Sequence, residues 1–303
     1  MKPGWKGVFP ALVTPFDANG ALDKAQLTAL VDILRDEGVT GLVVGGSTGE
    51  FYSMNVPERI ELFETVREHV TGEFTLIAGT SSINHSETLQ LTREAKAIGY
   101  DGCMVLPPIY CLPTHAEVLD AFKDVAAIGL PIMIYNNPGR AGFGFTPDLV
   151  GALSKIENVA AYKESARDIY LISEIFRAAR DNISLFAGLE PYGSALMARG
   201  AVGMVSTISN VCAREVVAYF DAFQQNDTAK VAQLQQLIDE MYHLLARSRM
   251  SNYAFAKSAM VAIGRPAGLP RRPHRPADDA LLKEIAKEIG EIYARADVKL
   301  VRV

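Results

Sequence analysis

The chain has 303 residues, 49% hydrophobic and 21% charged, with a formal net charge of −5. That balance suits a soluble globular protein with a large core, and its slight acidity argues against nucleic acid or an anionic membrane as the main partner. No run approaches the roughly 20 apolar residues of a membrane span, the opening Met1-Lys2-Pro3-Gly4-Trp5 lacks a signal-peptide core, and Cys103, Cys111 and Cys212 share no CxxC spacing; a reducing, cytoplasmic setting is expected.

In chain order, short apolar runs predict strands at 7–13, 41–45, 74–79, 102–106, 131–136, 158–163, 183–187 and 202–206. Amphipathic stretches predict helices at 23–37, 57–70, 86–99, 114–128, 146–154, 168–180, 191–200 and 213–226. Asn55-Val56-Pro57-Glu58 reads as a helix start, and Thr114 and Thr146 as N-caps. Gly38, Gly72, Gly99 and Gly129 follow helical patterns as C-terminal stops do.

Eight strand–helix units predict an α/β fold, a (β/α)8 TIM barrel. A doubly wound sheet would carry a Gly-rich nucleotide turn after its first strand, and here that strand runs into Thr14-Pro15-Phe16-Asp17. The barrel is expected over 1–226 and a C-terminal helical bundle over 227–303, with helices near 228–247, 252–263 and 277–296. Between the last two, Pro266 to Pro276 reads as a linker or surface loop, and its basic cluster (Arg271, Arg272, His274, Arg275) as a solvated face.

Barrel enzymes place their chemistry at the C-terminal ends of the strands. Four polar ends meet that rule: Gly45-Gly46-Ser47-Thr48-Gly49-Glu50 after strand 2, Leu106-Pro107-Pro108-Ile109-Tyr110 after strand 4, Tyr135-Asn136-Asn137-Pro138-Gly139-Arg140 at strand 5, and Lys163 closing strand 6. Lys163 is the most informative, because a charge ending an apolar strand is costly to desolvate unless it is paired or loses its proton. An unprotonated lysine amine attacks carbonyls to form a Schiff base. The bland reading is an ion pair, but alternation sends the adjacent Glu164 to the opposite face. The Ser47-Thr48-Gly49 turn suits an anion such as a carboxylate, Tyr135 a proton relay, and Arg140 a carboxylate clamp. Each has a structural alternative: a tight turn, a half-buried tyrosine, a surface arginine. The five histidines form no HExxH, and no GxSxG elbow appears.

Together these pieces resemble the family of dihydrodipicolinate synthase and N-acetylneuraminate lyase, the pyruvate-type class I aldolases. The resemblance runs from about residue 7 to 300 and rests on the GSTGE turn, Tyr135-Asn136-Asn137-Pro138 and Tyr162-Lys163-Glu164-Ser165. It implies that Lys163 forms an imine with a 2-oxo acid such as pyruvate, without metal or organic cofactor. It also implies that Thr48 and Tyr135 pass protons, helped by Tyr110 reaching into a neighbouring subunit of a homotetramer. Ser47, Thr48 and their amides, among them that of Gly49, would hold the carboxylate, and Gly188 and Val205 would line the pocket.

Arg140 matches the arginine with which synthases bind a second substrate's carboxylate, so the resemblance favours 4-hydroxy-tetrahydrodipicolinate synthase, which joins pyruvate to aspartate semialdehyde. Ile109 replaces a usual tyrosine, and Arg167 a usual glycine. Phe51, Tyr52, Val56 and Arg59 depart from the lysine-sensing pattern, so no lysine effector site is expected. The alternatives are a catabolic paralogue (2-keto-3-deoxy sugar acid aldolase or dehydratase, or hydroxypyrroline-carboxylate deaminase) and a non-catalytic 2-oxo acid sensor.

Overall fold

The structure, a computed structural model, describes residues 3–301. Its strands are β1 Gly7–Pro10, β2 Gly41–Val44, β3 Thr75–Gly79, β4 Gly102–Val105, β5 Ile132–Asn136, β6 Val159–Glu164, β7 Ser184–Ala187 and β8 Gly203–Ser206. The helices between and after them are α1 Lys24–Asp36, α2 Val56–His69, α3 His85–Ile98, α4 His115–Ala126, α5 Pro138–Ala141, α6 Pro147–Leu153, α7 Ile169–Ala179, α8 Gly193–Met197 and α9 Ser209–Gln224. Three more complete the chain: α10 Thr228–Arg247, α11 Asn252–Ala262 and α12 Asp279–Arg295.

All strand pairs are parallel, in the order β1-β8-β7-β6-β5-β4-β3-β2. A parallel bridge from Ala11 to Val43 and the bond from Leu12 N–H to the Val43 carbonyl (2.9 Å) draw β1 and β2 together. The architecture is the expected (β/α)8 TIM barrel with a C-terminal helical region. Helix starts follow from local chemistry: Asn55 with Glu58, and Thr114 with Glu117, each form a reciprocal capping box.

Three expectations change. Strand 1 ends at Pro10 rather than at 13. The predicted helix at 191–200 is a 3-10 turn, Glu190–Tyr192, followed by the short α8. Its Gly193 lies so close to Tyr219 that a Cβ would sit 2.9 Å from the Tyr219 hydroxyl. The helix expected from 213 starts at Ser209 and kinks at Cys212, whose φ is −136°.

Inside the barrel, Phe9, Val43, Ile77, Met104, Met133, Ala161, Phe186 and Val205 form a packed interior, plugged at the N-terminal end by Trp5. A Cβ on Gly102 would lie 2.2 Å from the Trp5 ring, so only glycine admits the plug. A second, outer cluster joins the strands to the helices and runs on into the C-terminal region through Leu234, Leu237, Phe255 and Ile289. Among the described residues, no helix is long and apolar enough to cross a membrane.

The basic loop is a partial correction. Arg271 is not a solvated residue: it bonds Glu58 and the carbonyls of Gly20 and Ser53, and its own N–H donates to Glu50. His274 bonds the Tyr52 hydroxyl at 2.8 Å. The loop folds back over the start of α2, which brings these side chains to partners remote in sequence.

Candidate active site

Lys163 sits at the C-terminal end of β6 and is 5% exposed. A bulge opposite Ile132 and Met133 pairs them with Val159 and Ala161. Ala160 and Ala161 therefore both belong to the interior, while Tyr162 packs outward. After that reset, alternation aims Lys163 into the barrel mouth and Glu164 away from it. Glu164 accepts hydrogen bonds from Asn136 Nδ2, Tyr162 Oη and the Ala166 N–H. Burial pushes its carboxyl above the usual carboxylate range, against those bonds.

Among the described residues, no carboxylate pairs with Lys163. Its Nζ lies instead 3.9 Å from the centroid of the Tyr135 ring, a cation–π approach when charged. Tyr135 Oη accepts from Asn137 Nδ2 at 2.9 Å. Burial raises the phenol, but Lys163, Asn137, Ser165 and Arg140 outweigh it and hold Tyr135 below its ordinary value. A phenol of that kind, beside an amine, can trade a proton with it.

Thr48, Tyr135, Arg140, Lys163 and Gly188 share one cleft with Asn137, Ser165, Glu190, Thr207, Tyr242 and Tyr253. Its volume is about 60 Å³, room for roughly four to six water-sized groups, the scale of a three-carbon acid. Thr48 Oγ1 lies 3.0 Å from Thr207 Oγ1. Gly188 is the close wall: a Cβ there would come 2.2 Å from Ser165 Oγ and 3.0 Å from Lys163 Cε.

Ser47 lies beside the cleft, against a smaller cavity that also touches Tyr135. Gly49 is buried beneath the turn, its carbonyl bonded by Thr14 Oγ1 at 2.7 Å, and Val205 is part of the interior below the cleft. Arg140 stacks its guanidinium 4.7 Å from the Tyr253 ring centroid. Tyr110 is not brought into this cleft: it is 87% exposed, with a φ of +74°. Among the described residues, no three His, Cys, Asp or Glu side chains gather as a metal site.

The sequence reading missed Thr207, Glu190, Tyr242 and Tyr253. Glu190 Oε1 accepts from Ser206 Oγ, Thr207 N–H and Ile208 N–H, and so shapes the loop after β8. Tyr242 and Tyr253 come from α10 and α11, outside the barrel repeat, where no strand-end rule looks.

The chain as a whole resembles known proteins. The sequence pattern of the dihydrodipicolinate synthetase family matches residues 4–292. The chain belongs to that family. An uncharacterized DapA-like lyase of Rhizobium meliloti is 45% identical over 292 residues, covering 96% of this chain and 97% of the relative. The dihydrodipicolinate synthase DapA-2 of Bacillus anthracis superposes with a TM-score of 0.89 at 32% identity, covering 97% and 99% of the two chains. YagE of E. coli K12, solved in complex with pyruvate, superposes with a TM-score of 0.91 at 26% identity, covering 96% and 99%. As a member of the family, the chain is an enzyme of the class I lyase and aldolase kind.

Proposed function

We propose that the enzyme forms a Schiff base between Lys163 and pyruvate or a related 2-oxo acid, and that it works most like 4-hydroxy-tetrahydrodipicolinate synthase. One observation carries this reading: a buried amine, with no carboxylate partner among the described residues, faces a small cleft beside a phenol of lowered pKa. The free amine adds to the ketone carbon, Tyr135 supplies the proton that lets water leave, and the protonated imine results. The imine draws electrons from the neighbouring carbon, which loses a proton and becomes a nucleophilic enamine. The imine is itself the electron sink, so the reaction calls for no metal or organic cofactor. Ser47, Thr48 and the turn amides, that of Gly49 included, hold the carboxylate. Gly188 leaves room beside Lys163, and Val205 supports the floor.

Arg140 supports a second, carboxylate-bearing substrate such as aspartate semialdehyde. It meets the protein through the face of Tyr253, which leaves its planar fork free to bind an anion. Glu190 in the cleft wall favours the competing catabolic reading, cleavage or dehydration of a sugar acid, because its carboxylate can accept from hydroxyl groups. Tyr110 serves the site of a neighbouring subunit, in a homotetramer.

Borohydride reduction in the presence of pyruvate, followed by mass spectrometry, should place the reduced adduct on Lys163, and Lys163→Ala should abolish it. Absence of an adduct with pyruvate and every other 2-oxo acid tried would overturn the imine.

A further inference from the structure

The turn that carries Ser47 and Thr48 ends at Glu50, and Glu50 is the unusual residue of the turn. Its backbone is left-handed, φ 58° and ψ 38°, without being glycine. Such a conformation costs about 1–2 kcal/mol and persists only where the surroundings impose it. Here they do. The carboxylate is wholly buried, with Oε1 2.5 Å from Lys257 Nζ and Oε2 accepting the Arg271 N–H at 3.0 Å. Lys257 also donates to the Leu269 carbonyl at 2.9 Å and lies over the Phe16 ring. The main chain closes the same knot: Glu50 N–H donates to the Ser47 carbonyl at 3.1 Å, and Ser53 caps the Glu50 carbonyl through N–H and Oγ.

A buried ion pair is poor evidence for stability, since matched apolar side chains often do as well. This pair is placed for something else. Lys257 lies one helical turn beyond Tyr253 on α11, and Tyr253 walls the cleft. One helix therefore touches the site and grips the end of the turn that feeds Thr48 into it. A second buried pair, Arg265 with Glu37 at 2.5 Å, is nearly as enclosed, but Arg265 bonds the Asn210 carbonyl rather than the turn or a cleft residue.

We propose that the Glu50–Lys257 pair holds the Ser47-Thr48 turn in register with Lys163, making Glu50 and Lys257 positioning residues for the 2-oxo acid's carboxylate. This rests on the imine reading above. The basic loop, through the Arg271 N–H, is part of the same clamp.

The test uses the full chain and two readouts: the pyruvate concentration for half-maximal borohydride trapping, and the trapping rate at saturating pyruvate. Glu50→Gln and Lys257→Met should each raise the half-saturating concentration by about tenfold or more, as a displaced binding group does, and leave the saturated rate nearly unchanged. Glu37→Gln should lower the melting temperature and leave half-saturation where it was. A folded Glu50→Gln with wild-type half-saturation overturns the proposal, as does an equal shift in Glu37→Gln. Should Lys257→Met unfold, Glu50→Gln decides, because glutamine keeps the shape and can still accept from Arg271. Unfolding of both would make the pair a folding element and reject positioning. No adduct in the wild type is a different failure, that of the imine itself.

Discussion

Two residues set the tolerance of the site. Lys163 stands out in the sequence because an amine at the end of an apolar strand demands an explanation, and among the described residues no carboxylate supplies one. Gly188 shows how little room is left: a Cβ would strike Ser165 Oγ and come 2.6 Å from the Glu164 carbonyl. Gly188→Ala should therefore cost about 1–3 kcal/mol as an overpacked site and sharply reduce pyruvate trapping at Lys163. Thermal melting and borohydride trapping together check this, and trapping at the wild-type level would show that the wall can yield. A glycine's role here is invisible in sequence, because the atoms it accommodates belong to another strand.

At the level of elements, β6 puts its two charges on opposite faces. Lys163 serves the mouth, whereas Glu164 is buried behind it with three donors and a raised pKa. A carboxyl whose folded value is raised contributes stability that is complete below the unfolded value and lost as pH rises through the folded one. Glu164→Gln keeps an acceptor for Asn136 and Ala166 and removes the buried charge. Its melting temperature should thus gain on the wild type as pH climbs from the ordinary carboxylate range toward neutrality, and parallel pH profiles would refute this. Alternation already separated Lys163 from Glu164; the bulge opposite Ile132 and Met133, which sets the phase, was not legible. Helix α11 was legible as a helix, yet its roles through Tyr253 and Lys257 were not, because their partners Arg140 and Glu50 lie 113 and 207 residues back in the chain.

For the whole molecule, the exposed loop after β4 is the open end of the story. Tyr110 and Leu112 both have positive φ and are 87% and 69% exposed. Apolar groups so displayed suit a contact with another copy. If Tyr110 works in a neighbour's site, Tyr110→Phe and Lys163→Ala will each slow exchange of pyruvate's methyl protons with deuterium. Mixing the two variants after dissociation and reassembly should then restore part of that exchange, and no recovery in mixed oligomers would reject the shared site. The surroundings of Phe51, Tyr52 and Arg59 bear on regulation: they line a cavity of about 340 Å³ with Asn84 and Glu87. Its wall carries both the Arg59 guanidinium and the Glu87 carboxylate, so it presents both signs of charge to a ligand.

Local chemistry determined much from sequence alone. Strand and helix alternation, the capped helix starts and the strand-end polar groups are set by neighbours a few residues apart, so the barrel and the strand-end placement of Lys163, Tyr135 and the GSTGE turn could be read directly. What only the folded chain decided is which distant groups meet at the mouth: Thr207 against Thr48, Tyr253 beneath Arg140, Ser165 against Gly188, and Lys257 holding Glu50. Those contacts depend on barrel closure and on a C-terminal helix returning over the rim. Neither leaves a periodic mark in the sequence, because burial and pairing across such separations are properties of the packed molecule.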